Sequence, residues 1–352
     1  MKAITEAKSL RQAIKTVLSI SVGAKEITFS ATDGLSISAQ TGLGFSCCRV
    51  QQAVVDKPGE LSVATDCLAK LSFPSGKMIL LGSQNGLSIV SDGFRCRIDS
   101  IQSTPSIDLD LLKAEIKSQV TLPTDVFLAH LKASILSKML DTEISSVILV
   151  DDGGFTITTV DSHRGIQTMI PQDAYSGTIR SIVPPEFLAS LISCQEMIGK
   201  EVSIFSDEKR FWIVGDGFRA CHATKTTPPR LDRLFPFVST TKKEKAPDLH
   251  ITCDSTELLS AIRTTGTLCQ EGKGVEMSFR EGVGRAKASS AFGEVEKSFP
   301  AEIITAGKLF VSPKVAIEAL SILGNGRIEV FVYGGVLLFE KNPAIFVMRT
   351  MG

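Results

Sequence analysis

The chain has 352 residues, 43% hydrophobic and 22% charged, which is the balance of a packed soluble protein with room for two or three domains. Lys plus Arg and Asp plus Glu both number 38, so the net charge is zero. That excludes a protein that coats nucleic acid over its whole surface and leaves only a local patch for such contact. No apolar run reaches the roughly 20 residues of a membrane span, and the amphipathic start MKAITEAKSLRQAIK is not a signal peptide. Eight cysteines (Cys47, Cys48, Cys67, Cys96, Cys194, Cys221, Cys253 and Cys269) and four histidines are scattered without C-x-x-C or zinc spacing. They read as free thiols of a cytoplasmic protein, with no metal and no cofactor expected.

In chain order, residues 2–18 predict a short strand leading into an amphipathic helix, its apolar stripe being Leu10, Ala13, Ile14 and Val17. Strand-rich sequence follows (KEITFSATDGLSISAQ). Then GELSVATDCLAKLSFPSGKMILLG (59–82) predicts strand, helix from Thr65-Asp66, a Gly-containing turn and strand. LSIVSDGFRCRI (87–98) predicts a hairpin turning at Asp92-Gly93.

The same order then returns. Residues 119–136 predict strand and helix with Phe127, Leu128, Leu131 and Ile135 as the stripe, followed by GGFTITTVDSHRGIQTM. Residues 177–205 predict strand, helix from Pro184-Pro185 and strand, and 211–223 a second hairpin in which Asp-Gly-Phe-Arg recurs at Asp216. A third round begins at 249–264, with Leu258, Leu259 and Ile262, and ends at 307–332, with a helix start at Ser312-Pro313. The second helices repeat their register as Leu68 and Leu71, Leu188 and Leu191, Ile317 and Leu320.

Internal repetition on this scale is an architectural signal. The expected fold is α+β, with three tandem units of about 117 residues bounded as 1–117, 118–245 and 246–352. Each holds two helices and about eight antiparallel strands, and VSTTKKEKAPD (238–248) reads as a linker. A curved array of such units leaves open strand edges at its two ends, and head-to-tail closure of two chains would remove them.

The segment Thr158-Thr159-Val160-Asp161-Ser162-His163-Arg164-Gly165 resembles the T-D-G-H-R-L segment of the beta sliding clamps of bacterial replicative DNA polymerases. Pro228-Pro229-Arg230-Leu231-Asp232-Arg233-Leu234-Phe235-Pro236 resembles a second segment of that family, and the N-terminal strand and the terminal Val347-Met348-Arg349 fit as well. Ser162 stands where the family has Gly, Gly165 replaces an apolar residue, and the ending FVMRTMG admits two registers. Such divergence suits a phage-encoded or otherwise outlying member.

The resemblance implies the DNA-clamp fold, three copies with helices inside and antiparallel sheets outside. It further implies a homodimeric ring around duplex DNA, without sequence readout, that tethers the replicative polymerase, its clamp loader and other replication or repair proteins. Helices would face DNA. The first carries Lys8, Arg11 and Lys15 at offsets of three and four, with no acid from Lys8 to Ser19, and Lys25 follows in the next loop. Lys132 and Lys138 sit on or after the corresponding helix of the second unit and Arg263 on that of the third. Lys70, Lys200 and Lys314 have acids nearby and read as solvated faces.

A pocket for partner peptides is implied at Val160, Ser162, Gly165, Pro229, Leu234, Val336, Leu338, Val347 and Met348, with His163, Arg164, Arg233 and Arg349 as polar rim. For Val336 and Leu338 core packing and the pocket read equally well. Asp161 and His163, two apart on an expected strand, could orient a base, but no nucleophile or phosphate-binding motif accompanies them, and a structural turn is favoured over catalysis. Gly272, Gly274, Gly282 and Gly284 match no fingerprint. The competing reading is a repeat-built interaction scaffold that never encircles DNA.

Overall fold

The computed structural model describes residues 1–101, 119–135, 145–151, 154–161, 163–206, 209–225, 245–270 and 273–351. The chain forms two compact units, one of Met1–Ala129, Ile148–Phe155 and Pro171–Lys225, the other of His130–Val147, Thr156–Ile170 and Thr226–Gly352. The boundary segments expected near 115–120 and 238–248 lie largely outside the described residues.

In the first unit one sheet runs, in hydrogen-bonded order, Val54–Lys57, Lys2–Glu6, Lys77–Ser83, Gly86–Ser91 and Phe94–Asp99. A second, eight-stranded sheet runs Gln119–Pro123, Glu201–Ser206, Arg210–Gly215, Phe218–Ala223, Gly44–Arg49, Leu35–Gln40, Glu26–Ala31 and Gly59–Ala64. Both expected Asp-Gly hairpins form, with Ser91 paired to Phe94 and Gly215 to Phe218. Gly93 and Gly217 take φ of +68° and +75°, the left-handed backbone that such tight turns require.

The helix Ala7–Ile20 follows its strand without a loop and buries Leu10, Ala13, Ile14 and Val17 against strands Leu35–Gln40 and Gly44–Arg49. Burial of each larger side chain contributes roughly 1.5–3 kcal/mol. A polar pin fixes the helix end: Ser46 Oγ donates to the Val17 carbonyl at 3.1 Å and lies 2.7 Å from Ser21 Oγ.

The second helices are less uniform than their sequences predict. Pro185–Ile192 and Pro313–Leu323 form with Pro in the first turn. Thr65–Ala69 is a short helix that stops before Leu71, which lies in the turn leading to Pro74. A further short helix, Gln195–Ile198, was not anticipated.

In the second unit the strands run Arg164–Ile170, Ala344–Arg349, Val336–Lys341, Arg327–Tyr333, Leu249–Asp254, Gly293–Thr305, Val283–Ser290, Val275–Arg280 and Gly307–Val311. Helices Ser255–Gly266 and Pro313–Leu323 pack on one another over a core that includes Leu258, Ile262, Phe279, Leu320 and Phe346. Asp254 caps the first of them, its Oδ1 accepting from the amides of Thr256 at 2.8 Å and Glu257 at 3.3 Å.

Those amide donors, the Thr256 amide above all, hold the Asp254 carboxyl below its ordinary value. A carboxylate with a lowered folded pKa stabilises above its unfolded pKa, and that contribution is lost as pH falls through the folded value. Asp254→Ala is expected to lower stability by about 1 kcal/mol near neutral pH. The gap to wild type should close below about pH 4, which urea titrations at several pH values would check.

One pairing rule occurs in both units. In the first, Phe218–Ala223 pairs antiparallel with Gly44–Arg49, Phe218 opposite Cys48 and His222 opposite Gly44. In the second, Ala344–Arg349 pairs with Arg164–Ile170, Ala344 opposite Thr168 and Met348 opposite Arg164. In each case the last strand of one sequence repeat lies on a strand of the preceding repeat, in the same register.

Candidate functional site

The first helix presents the expected cations. With Leu10, Ala13, Ile14 and Val17 turned inward, the 3.6-residue period leaves Lys8, Arg11 and Lys15 exposed on the other side. A groove of about 500 Å³ between this helix and Pro185–Ile192 and Gln195–Ile198 is lined by the three cations, Gln12, Ser193 and Glu196. Arg11 donates to the Phe73 carbonyl, and Gln12 donates to the Glu196 carboxylate at 2.5 Å. Lys8 and Lys15 have no ion-pair partner among the described residues. Lys25 is exposed before strand Glu26–Ala31.

Lys132 and Arg263 are exposed in the last turns of their helices, where a cation also offsets the helix dipole. Lys138 lies outside the described residues. On the first helix, the exposed ammonium and guanidinium groups of Lys8, Arg11 and Lys15 suit phosphates and read no bases.

Asp161 and His163 lie in a turn, not on the expected strand. Asp161 Oδ1 accepts from the amides of His163 at 2.8 Å and Arg164 at 3.0 Å, and the Asp161 amide donates to the Arg164 carbonyl at 3.0 Å. The carboxylate therefore builds the turn and leaves the His163 ring exposed.

Arg164 is not a rim residue. Its side chain is 0% exposed, with Nε donating to Asp161 Oδ2 at 2.8 Å and an Nη group paired with Glu318 from helix Pro313–Leu323. The Asp161 partner was visible in sequence three residues away. Glu318 was missed, because no sequence spacing signals a partner so distant.

The apolar candidates divide between two clusters. Val160, Leu338 and Val347 pack with Phe331 and Tyr333, with half-buried Val336 and Ile345 against them. Met348 belongs instead to the larger core around Ile251 and Phe346. Adjacent residues of a strand face opposite sides, so Val347 and Met348 cannot line one pocket, and Met348 is withdrawn from it. Gly165 is buried and pairs with Val347. Arg349 is exposed, and its amide donates to the His163 carbonyl at 3.3 Å. What remains is a patch of Val336 and Ile345 over an apolar floor, rimmed by His163 and Arg349. Ser162, Pro229, Arg233 and Leu234 lie outside the described residues.

No family model matches the chain, and no curated protein matches it. Its fold is similar to the crystal structure, at 2.26 Å resolution, of a protein of Eubacterium rectale described as a candidate DNA polymerase III beta subunit. The TM-score is 0.82 over 99% of this chain and 98% of that one, at 13% sequence identity. The fold is the DNA-clamp fold. Its three strand-to-helix starts here are Lys2–Glu6 into Ala7–Ile20, Gln119–Pro123 into Thr124–Ser134, and Leu249–Asp254 into Ser255–Gly266. The clamp fold is α+β with antiparallel sheets, as the repeats predict. Among the described residues no helix is long and apolar enough to cross a membrane.

Proposed function

We propose that the chain is a DNA sliding clamp, an accessory subunit without catalysis of its own. Two copies would close head to tail around duplex DNA and tether a replicative polymerase and other replication or repair proteins. The observation that carries this reading is the clamp fold over nearly the whole chain, shared with a protein named for its place in DNA polymerase III. The exposed row Lys8, Arg11 and Lys15 supports it, because a protein of zero net charge must meet phosphates through a local patch. Partner peptides would dock on the Val336 and Ile345 patch beside His163 and Arg349. A cytoplasmic, nucleoid-associated location follows from the role.

Replacing Lys8, Arg11 and Lys15 together by Glu tests the reading. Wild type, once loaded, should stay on nicked circular DNA and slide off after linearisation. The triple variant should stimulate its polymerase at least tenfold less while assembling like wild type and melting only slightly below it. All three side chains are exposed, and among the described residues only the Arg11 bond to the Phe73 carbonyl is lost. Full stimulation by the triple variant would remove DNA from that helix face and favour a scaffold.

The repeated pairing rule supports ring closure. Phe94–Asp99 ends its sheet, and Gly293–Phe299 pairs only with Val283–Ser290 on one side among the described residues. Both are edges of the kind that association covers. In each observed case the first residue of the hairpin's second strand (Phe218, Ala344) sits opposite the residue four beyond the hairpin-closing one (Gly44, Arg164). With Gly293 closing the hairpin onto Ser290, the same rule sets Phe94 of one copy opposite Lys297 of the next. Arg95 then faces Glu296, and Arg97 faces Glu294.

A further inference from the structure

The eight-stranded sheet carries a trough of about 340 Å³ on the face turned away from helix Ala7–Ile20, which the clamp reading does not use. Ser46 reaches toward that helix to donate to the Val17 carbonyl, so Phe45, Cys47 and Arg49 face the other side. The register sets Arg219 opposite Cys47 on one neighbouring strand and Ser36 opposite Arg49 on the other. Arg49 and Arg219 are thus diagonal neighbours across one ladder, their Cβ atoms roughly 7 Å apart.

Both guanidiniums are exposed, and among the described residues neither is paired with a carboxylate. Asp33 lines the lip, where Arg49 donates to its backbone carbonyl at 2.7 Å. The placement of Arg49 is built into two turns. A Cβ on Gly34 would lie 2.9 Å from Arg49 Nε, and one on Gly217 3.0 Å from Arg49 Cβ, so only glycine leaves the side chain its course. Phe45 and Val214 supply an apolar floor and Ser36 a hydroxyl at the wall.

We propose that this trough binds an extended acidic peptide segment of a partner protein, with two carboxylates in an Asp-x-Asp or Glu-x-Glu spacing on Arg49 and Arg219. Like charges on adjacent strands repel, and an anion between them removes that cost. A guanidinium fork matches a carboxylate with two parallel hydrogen bonds. Side chains two apart on an extended chain stand about 6.6 Å apart on one face, close to the roughly 7 Å between the Cβ atoms of Arg49 and Arg219. The floor then takes a flanking apolar side chain. This site stands independently of the clamp reading, since it needs neither DNA nor a ring.

The test is fluorescence anisotropy of the full chain with a dye-labelled peptide, Gly-Ser-Asp-Ala-Asp-Ala-Leu-Gly, and its twin carrying Asn at both Asp positions. The Asp peptide should bind at least tenfold more tightly, and added salt should weaken it. Arg219→Gln, at an exposed position, should cost at least tenfold in affinity with an unchanged melting temperature, and Arg49→Gln should do likewise. Lys8→Glu should leave the peptide affinity unchanged. Equal binding of the two peptides, or indifference to Arg219→Gln, would overturn the proposal. Saturable binding of inorganic phosphate without binding of the Asp peptide would also overturn it and assign a phosphate site instead.

Discussion

Arg164→Met is expected to destabilise the second unit by about 3–5 kcal/mol, because it leaves two carboxylates buried without their cation. Asp161 and Glu318 both point at Arg164, whose side chain is 0% exposed. A buried carboxylate that loses its guanidinium must recover a proton or shift its surroundings, and either costs more than the lost contacts. Arg164→Lys should not rescue. An ammonium is a compact point charge and cannot hold Asp161 and Glu318 at once as the Nε and an Nη group of the guanidinium do. Glu318→Gln should cost less, about 1–3 kcal/mol, since Arg164 keeps Asp161. Urea unfolding curves with unchanged slope would measure the differences. A wild-type midpoint for Arg164→Met would show that the triad contributes nothing. The consequence reaches the candidate partner patch, because the Asp161 carboxylate that Arg164 grips also builds the turn carrying His163.

The three-fold order of strand, helix and hairpin was legible because its signals are local. Asp-Gly at 92–93 and 216–217 between alternating strands specifies a hairpin by backbone conformation alone, and both form. The stripe Leu10, Ala13, Ile14 and Val17 likewise fixes which side of the first helix is buried, and therefore that Lys8, Arg11 and Lys15 face solvent. Arg164 was misread for the opposite reason. An arginine near a turn reads as solvated, and the tertiary approach of Glu318, added to Asp161, makes its burial tolerable. Met348 was a different kind of error, since strand parity already separates it from Val347. The pairing of one repeat's last strand with the preceding repeat is invisible in sequence, because register is set by contacts far apart along the chain.

That register leads to the second large effect. Arg95→Glu with Arg97→Glu is expected to convert a dimer into monomers, and Glu294→Lys with Glu296→Lys to do the same. This dissociation rests on the proposed ring and on the alignment of Phe94 with Lys297 that extends the two observed pairings. In that alignment Arg95 meets Glu296 and Arg97 meets Glu294 on the exposed face of the joined strands. The two acids are already flanked on their other side, Glu294 by Lys287 at 2.8 Å and Glu296 by Arg285 at 3.8 Å. The junction would therefore extend each pair into a row of alternating charge. A directly opposed ion pair across strands contributes about 0.2–1 kcal/mol, and like charges oppose by similar amounts. Two reversed pairs then shift each junction by roughly 1–4 kcal/mol. A ring of two chains has two junctions, so the dimer loses about twice that. The quadruple variant restores opposite charges across each junction, while Lys287 and Arg285 then meet like charges within their own hairpin, and it should dimerise again. Mass in solution by light scattering separates the outcomes. Rescue by the quadruple variant is the decisive one, because loss of folding cannot be repaired by adding two further surface substitutions. If both doubles stay dimeric, the register is wrong although a ring could persist. If wild type is a monomer at micromolar concentration, the closed dimer itself is rejected.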